Sequence, residues 1–150
     1  MENAPKYTAY TIIYDLKLII EYYRGFVKGD DAIKLRMAEK NDNNYDPGFN
    51  VLIDFRDIAI NWSRKSNEGL ARFVQFMKDN PELITHQKTS LLLTKPEQAV
   101  LSILIKEQYD QFPMELDLFS TLDSALINIG IPKEFSQRVN EEIEKLKNKA

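Results

Sequence analysis

Pro47-Gly48-Phe49-Asn50-Val51-Leu52-Ile53-Asp54-Phe55-Arg56-Asp57 is the stretch on which the reading of this 150-residue chain turns. Val51, Leu52 and Ile53 form an unbroken apolar run. A strand that meets water on neither face reads this way, because no position has to be polar. Pro47-Gly48 punctuates its start. Its far end is abruptly charged, with Asp54, Arg56 and Asp57 within four residues. In open α/β sheets, ligands and partners gather beyond the carboxyl ends of the strands. The densest core and the most heavily charged loop are therefore expected side by side.

Outward from this strand, the chain alternates. Residues 7–15 and 17–24 are rich in Ile, Tyr and Thr and read as a hairpin turning at Asp15-Leu16. In its second strand Leu18, Ile20 and Tyr22 share one face; Ile19, Glu21 and Tyr23 share the other. Asp30 or Asp31 can cap a helix running to about Lys40, with Ile33 and Met37 toward the sheet. Beyond the organising strand, Ser63 or Ser66 starts a helix with the stripe Leu70, Phe73, Val74 and Met77, stopping near Asn80-Pro81. Ser90 to Leu93 reads as a short strand. Thr94-Lys95-Pro96-Glu97 reads as a capping box for a helix through Val100, Ile103, Leu104 and Tyr109. Residues 114–119 alternate like an edge strand. A helix capped at residues 120–123 carries Leu122, Ala125, Leu126 and Ile129 and stops at Gly130. A last, highly charged helix follows Pro132, with the stripe Phe135, Val139, Ile143 and Leu146. Strands alternating with helices predict an α/β fold in one domain over residues 1–150, with a mostly parallel sheet and right-handed crossovers.

Composition narrows the function classes. The net charge is −3, from 20 basic and 23 acidic residues, which argues against nucleic acid or an anionic membrane as a partner. There is no cysteine, so disulfides, thiolate catalysis and cysteine-based zinc sites are excluded. The longest apolar stretch, Ala99 to Ile105, is interrupted by Ser102 and falls far short of the roughly 20 residues a spanning helix needs. Residues 1–6 lack an apolar signal core, and the expected location is cytoplasmic.

The order of elements and several local details resemble the STAS-like (SpoIIAA-like) superfamily, and within it small stand-alone bacterial members. The details are a hairpin ending in Tyr23-Arg24-Gly25, a capped helix at Gly29-Asp30-Asp31, and Asp46-Pro47-Gly48-Phe49 leading into Val51-Leu52-Ile53-Asp54-Phe55-Arg56. The resemblance spans about residues 7–130, and residues 131–149 read as an added tail. It implies a mixed, mostly parallel sheet with an N-terminal hairpin, and a non-catalytic regulatory module that binds a protein partner. STAS domains that antagonise anti-sigma factors carry an acidic-serine-serine-glycine segment after this strand, with a serine phosphorylated by a partner kinase. Here Asn61-Trp62-Ser63-Arg64-Lys65-Ser66-Asn67-Glu68-Gly69 stands there instead, and the acidic-serine-serine-glycine core is absent.

Asp54, Arg56, Asp57 and Trp62 are the candidate partner-binding residues. Asp54 and Arg56 point the same way if the strand persists, so they equally suit an ion pair closing the strand end. Ser63 and Ser66 are candidate phosphate acceptors, since phosphate at a helix start meets free N–H groups; the plain alternative is N-capping. His86, the single histidine, has no companion set of ligands, so no metal site is expected. No glycine-rich phosphate cradle and no nucleophile–base set stands out, so neither a cofactor nor catalysis is expected. The final helix can pack on its own domain or form a homodimer. A second function class is a carrier of a small apolar or lipid-like ligand, since the apolar helices, 8 Phe and 7 Tyr could line a cavity.

Overall fold

A computed structural model describes residues 5–60 and 64–149, with residues 64–67 as backbone only. Strands Tyr7–Ile13 (β1) and Leu18–Gly25 (β2) pair antiparallel, Ile13 opposite Leu18. Their connection is a short tight helical turn over Tyr14–Leu16, closed by Lys17 at φ 52°. The corner is longer than the two-residue turn expected, because such turns favour left-handed backbone that Leu16 resists. Three strand-helix-strand units follow. Helix Gly29–Lys40 (α1) leads to strand Asn50–Ile58 (β3). Helix Arg64–Asp79 (α2) leads to strand Lys88–Leu92 (β4), which begins two residues earlier than expected. Helix Pro96–Tyr109 (α3) leads to strand Glu115–Phe119 (β5). The sheet order is β1-β2-β3-β4-β5, parallel after the first pair, with β3 in the middle.

This order has a geometric consequence. Right-handed crossovers that always step the same way across a sheet put every crossover helix on one face. Leu35 of α1, Phe73 and Met77 of α2 and Tyr109 of α3 accordingly share a core with Ile19, Val51, Ile53 and Leu91. The opposite face is covered by helices Leu122–Asn128 (α4) and Ser136–Lys147 (α5). These pack Ala125, Leu126, Val139, Ile143 and Leu146 on Leu18, Ile20, Tyr22 and Leu52. The unbroken apolar run is thus buried from both sides, Val51 and Ile53 toward one core and Leu52 toward the other.

The tail read from sequence is therefore half of a core. The α5 stripe is fully covered, and each such side chain contributes about 1.5–3 kcal/mol relative to exposure. Tyr7 Oη donates to the Leu146 carbonyl at 2.9 Å, and Arg138 holds Asp15 through two bonds of 2.7 Å. That stripe is occupied within the chain.

Two helix starts differ from expectation. In α1 the N-cap is Lys28, and Asp31 reaches back to accept from its N–H at 2.8 Å. In α3 the cap moves one residue on, to Lys95, because Gln98 rather than Glu97 turns inward. Gln98 Oε1 accepts from the N–H groups of Thr94 and Lys95, both at 3.0 Å. Its amide donates to the carbonyls of Arg56 and Ile58 at 3.0 and 3.2 Å. The β4 pairing ends at Asp54, so these β3 carbonyls need another donor. Facing Gln98 inward also turns Val100 and Ile103 outward, where each is about half exposed. Of the residues expected on the α3 stripe, Tyr109 faces the core, and Leu101 and Ile105 take the place of Val100 and Ile103. The expected stops and stripes of α2 and α4 are present, and Gly130 ends the α4 segment at φ 75°.

Candidate functional site

β3 continues to Ile58, so the charged segment after Ile53 is strand and not loop. Asp54 and Arg56 then project side by side. Arg56 Nε and Nη2 donate to Asp54 Oδ1 and Oδ2 at 3.0 and 2.9 Å, and the Arg56 backbone N–H adds a third bond at 3.0 Å. Asp54 has no exposed surface, and hydrogen bonding to it holds the Arg56 guanidinium above its ordinary pKa. Asp57 remains exposed; it accepts from Tyr22 Oη at 2.6 Å and faces Lys147 Nζ at 3.7 Å. The three residues tie the strand end to itself and to α5. Trp62 and Ser63 lie outside the described residues, as does the side chain of Ser66. His86 is exposed, and no group of three His, Asp or Glu suited to a metal occurs among the described residues.

The larger feature lies on the other side of the sheet. A cavity of about 340 Å³ separates the sheet from α1, α2 and α3. Its sheet wall is Tyr23, Ile53, Phe55 and Leu91. Its helix walls include Ala32, Leu70, Phe73, Leu101 and Ile105. Exposed Phe26 and Lys28, with Ala59 and Ile60, line the end nearest solvent. These residues follow β2 and β3, so the cavity opens at the carboxyl ends of parallel strands, where such folds hold ligands. Nearby, α1 and α2 meet at Gly29 and Gly69. A Cβ on Gly29 would fall 2.0 Å from the Gly69 carbonyl oxygen, so only glycine permits the approach. Arg72 fastens the same junction with bonds of 2.8 and 2.9 Å to Asp30.

Deeper in, the cavity wall becomes polar. Glu21 of β2, Arg36 of α1 and Tyr109 of α3 line it and are buried, Glu21 completely. Glu21 Oε1 accepts from Tyr23 Oη at 2.9 Å, and Arg36 Nε lies 2.9 Å from Glu21 Oε2. The second contact is an ion pair off the hydrogen-bond line, for neither atom has an aligned partner. Arg36 Nη2 donates to Tyr109 Oη at 3.3 Å. Behind them, burial and then the charge of Glu21 push the Glu39 carboxyl well up. As an acid Glu39 can donate to Glu21; as a carboxylate it would leave a buried oxygen unpaired. Burial alone would lower the Arg36 pKa, but Glu21 holds it well above the ordinary value. Burial also raises the Tyr109 and Tyr23 phenols, so both remain protonated donors.

The expected inward pair Ile33 and Met37 is corrected here. Ile33 packs only partly and Met37 is 50% exposed, while Leu35, Arg36 and Glu39 face inward. The signal was Glu21, a lone carboxylate in an Ile- and Tyr-rich strand, with Arg36 and Glu39 one helical turn apart to answer it.

No family model matches the chain, and no curated protein matches it. Among solved structures, it is similar to an uncharacterized protein of the DUF3478 family, with a SpoIIAA-like fold, from Shewanella loihica PV-4. The identity is 13%, the TM-score is 0.56, and the match covers 86% of this chain and 98% of that one. Such a likeness speaks to fold, and it agrees with the sheet order and hairpin described above: this chain has a SpoIIAA-like α/β fold.

Proposed function

We propose that the protein is a binding module that holds a small apolar molecule between its sheet and its three crossover helices. One observation carries this reading: a cavity of about 340 Å³, walled mainly by apolar side chains and reaching solvent at the strand ends. Small-molecule sites run from about 300 to 1,000 Å³ and combine apolar walls with a few polar groups, as here. The partner-binding reading centred on the β3 end has less behind it. Asp54 is buried and already bonded to Arg56, which leaves Arg56 and Asp57 as the accessible part of that group.

Binding is tested by native mass spectrometry after gentle purification, together with the uncharged fluorophore N-phenylnaphthylamine. The expected result is an added mass lost on denaturation, or a fluorescence rise that saturates. Ala32→Leu, which puts a larger side chain into the cavity, should remove both while the circular dichroism spectrum stays unchanged. A protein at its sequence mass that gives no fluorescence rise would refute the reading.

A further inference from the structure

We infer that the cavity selects an uncharged amphiphile whose single oxygen, a hydroxyl or carbonyl, accepts a hydrogen bond from Tyr109 at the buried end. The inference rests on the cavity being a binding site and specifies what it takes.

Tyr109 Oη accepts from Arg36 Nη2, which leaves its own proton to donate. Among the described residues no acceptor takes that proton, although Tyr109 is buried and lines the cavity. A buried donor without an acceptor favours a guest that brings one, because an unmet buried donor is costly. A pure hydrocarbon would leave it unmet.

Charge decides the rest. One guanidinium already faces Glu21 at 2.9 Å, with Glu39 packed behind. A carboxylate guest would add a further negative group at the buried end, where Arg36 is the lining cation; the other lining cation, Lys28, lies at the exposed end. An ammonium guest would meet Arg36, while Glu21 is already engaged by Tyr23 and Arg36. A neutral oxygen uses the free Tyr109 proton and adds no charge.

The test is displacement of N-phenylnaphthylamine from the intact protein by four guests of equal chain length: decanol, decanoate, decylamine and decane. Decanol should displace at the lowest concentration, with decanoate and decylamine about tenfold weaker. Tyr109→Phe should bring decanol to within about twofold of decane, since the benzene ring and its packing are kept. Decanoate or decylamine binding as well as decanol would overturn the inference and leave the cavity reading standing. So would a Tyr109→Phe protein that still prefers decanol. Failure of the fluorophore to bind at all would instead count against the cavity reading itself.

Discussion

The two faces of the sheet are built from alternate residues of the same strands, yet they are opposites. Under α4 and α5, Leu18, Ile20, Tyr22 and Leu52 meet Leu126, Val139, Ile143 and Leu146 in a close-packed apolar layer. Under α1, α2 and α3, Glu21 stands between Ile19 and Tyr23, and the helices enclose a cavity with Arg36 in its wall. A face built for stability fills with hydrocarbon. The other face keeps space and tolerates buried charge. The difference also separates two kinds of ion pair. Asp54–Arg56 has two aligned bonds, whereas Glu21–Arg36 meets at the same distance without alignment.

The sharpest way to break this contrast is Arg36→Ala. It strands Glu21 in a dry site and should cost about 3–5 kcal/mol in urea unfolding. The double variant Glu21→Leu with Arg36→Met should recover most of that loss, because an apolar substitute for a buried pair is often neutral. If the double variant is as weak as the single one, packing rather than charge holds the cluster. Next comes a matched pair of truncations. Ile143→Ala, in the filled layer, should cost about 2–5 kcal/mol, while Ile105→Ala, beside existing space, should cost about half as much. Equal losses would erase the distinction between the faces. The smallest effect is a pH dependence. A carboxyl whose folded pKa is raised gives its full contribution below the unfolded value of 4.5 and loses it as pH rises through the folded pKa. Glutamine does not titrate. The stability of Glu39→Gln relative to wild type should therefore improve between about pH 5 and about pH 8. A difference that stays constant would mean that Glu39 is not held as an acid.

Much of the fold was legible in the residues. Val51-Leu52-Ile53 announced a strand dry on both sides, and the turn and cap residues around it marked the alternation. The boundaries of β4 and the caps of α1 and α3 were less legible: Asp31 acts from the third helical position back onto Lys28, and Gln98 turns inward to β3 carbonyls that only the folded chain brings near. The cavity wall was hardest to read. Charged residues normally face water, so Ile33 and Met37 were expected inside, and Arg36 and Glu39 gave no local sign of burial. Their true direction depends on Glu21, fifteen and eighteen positions away in the chain, and long-range compensation of this kind leaves no local period.

The side-by-side strand order also bears on how the chain is made. Each new strand emerges next to the one synthesised just before it, so the sheet can be laid down in the direction of translation. Its second surface waits. Until α5 leaves the ribosome, Leu18, Ile20, Tyr22 and Leu52 lack the Val139, Ile143 and Leu146 that shield them. A nascent polypeptide halted near residue 131 would therefore present an oily plane beside α4 to chaperones, and the twelve residues of α5 hide it.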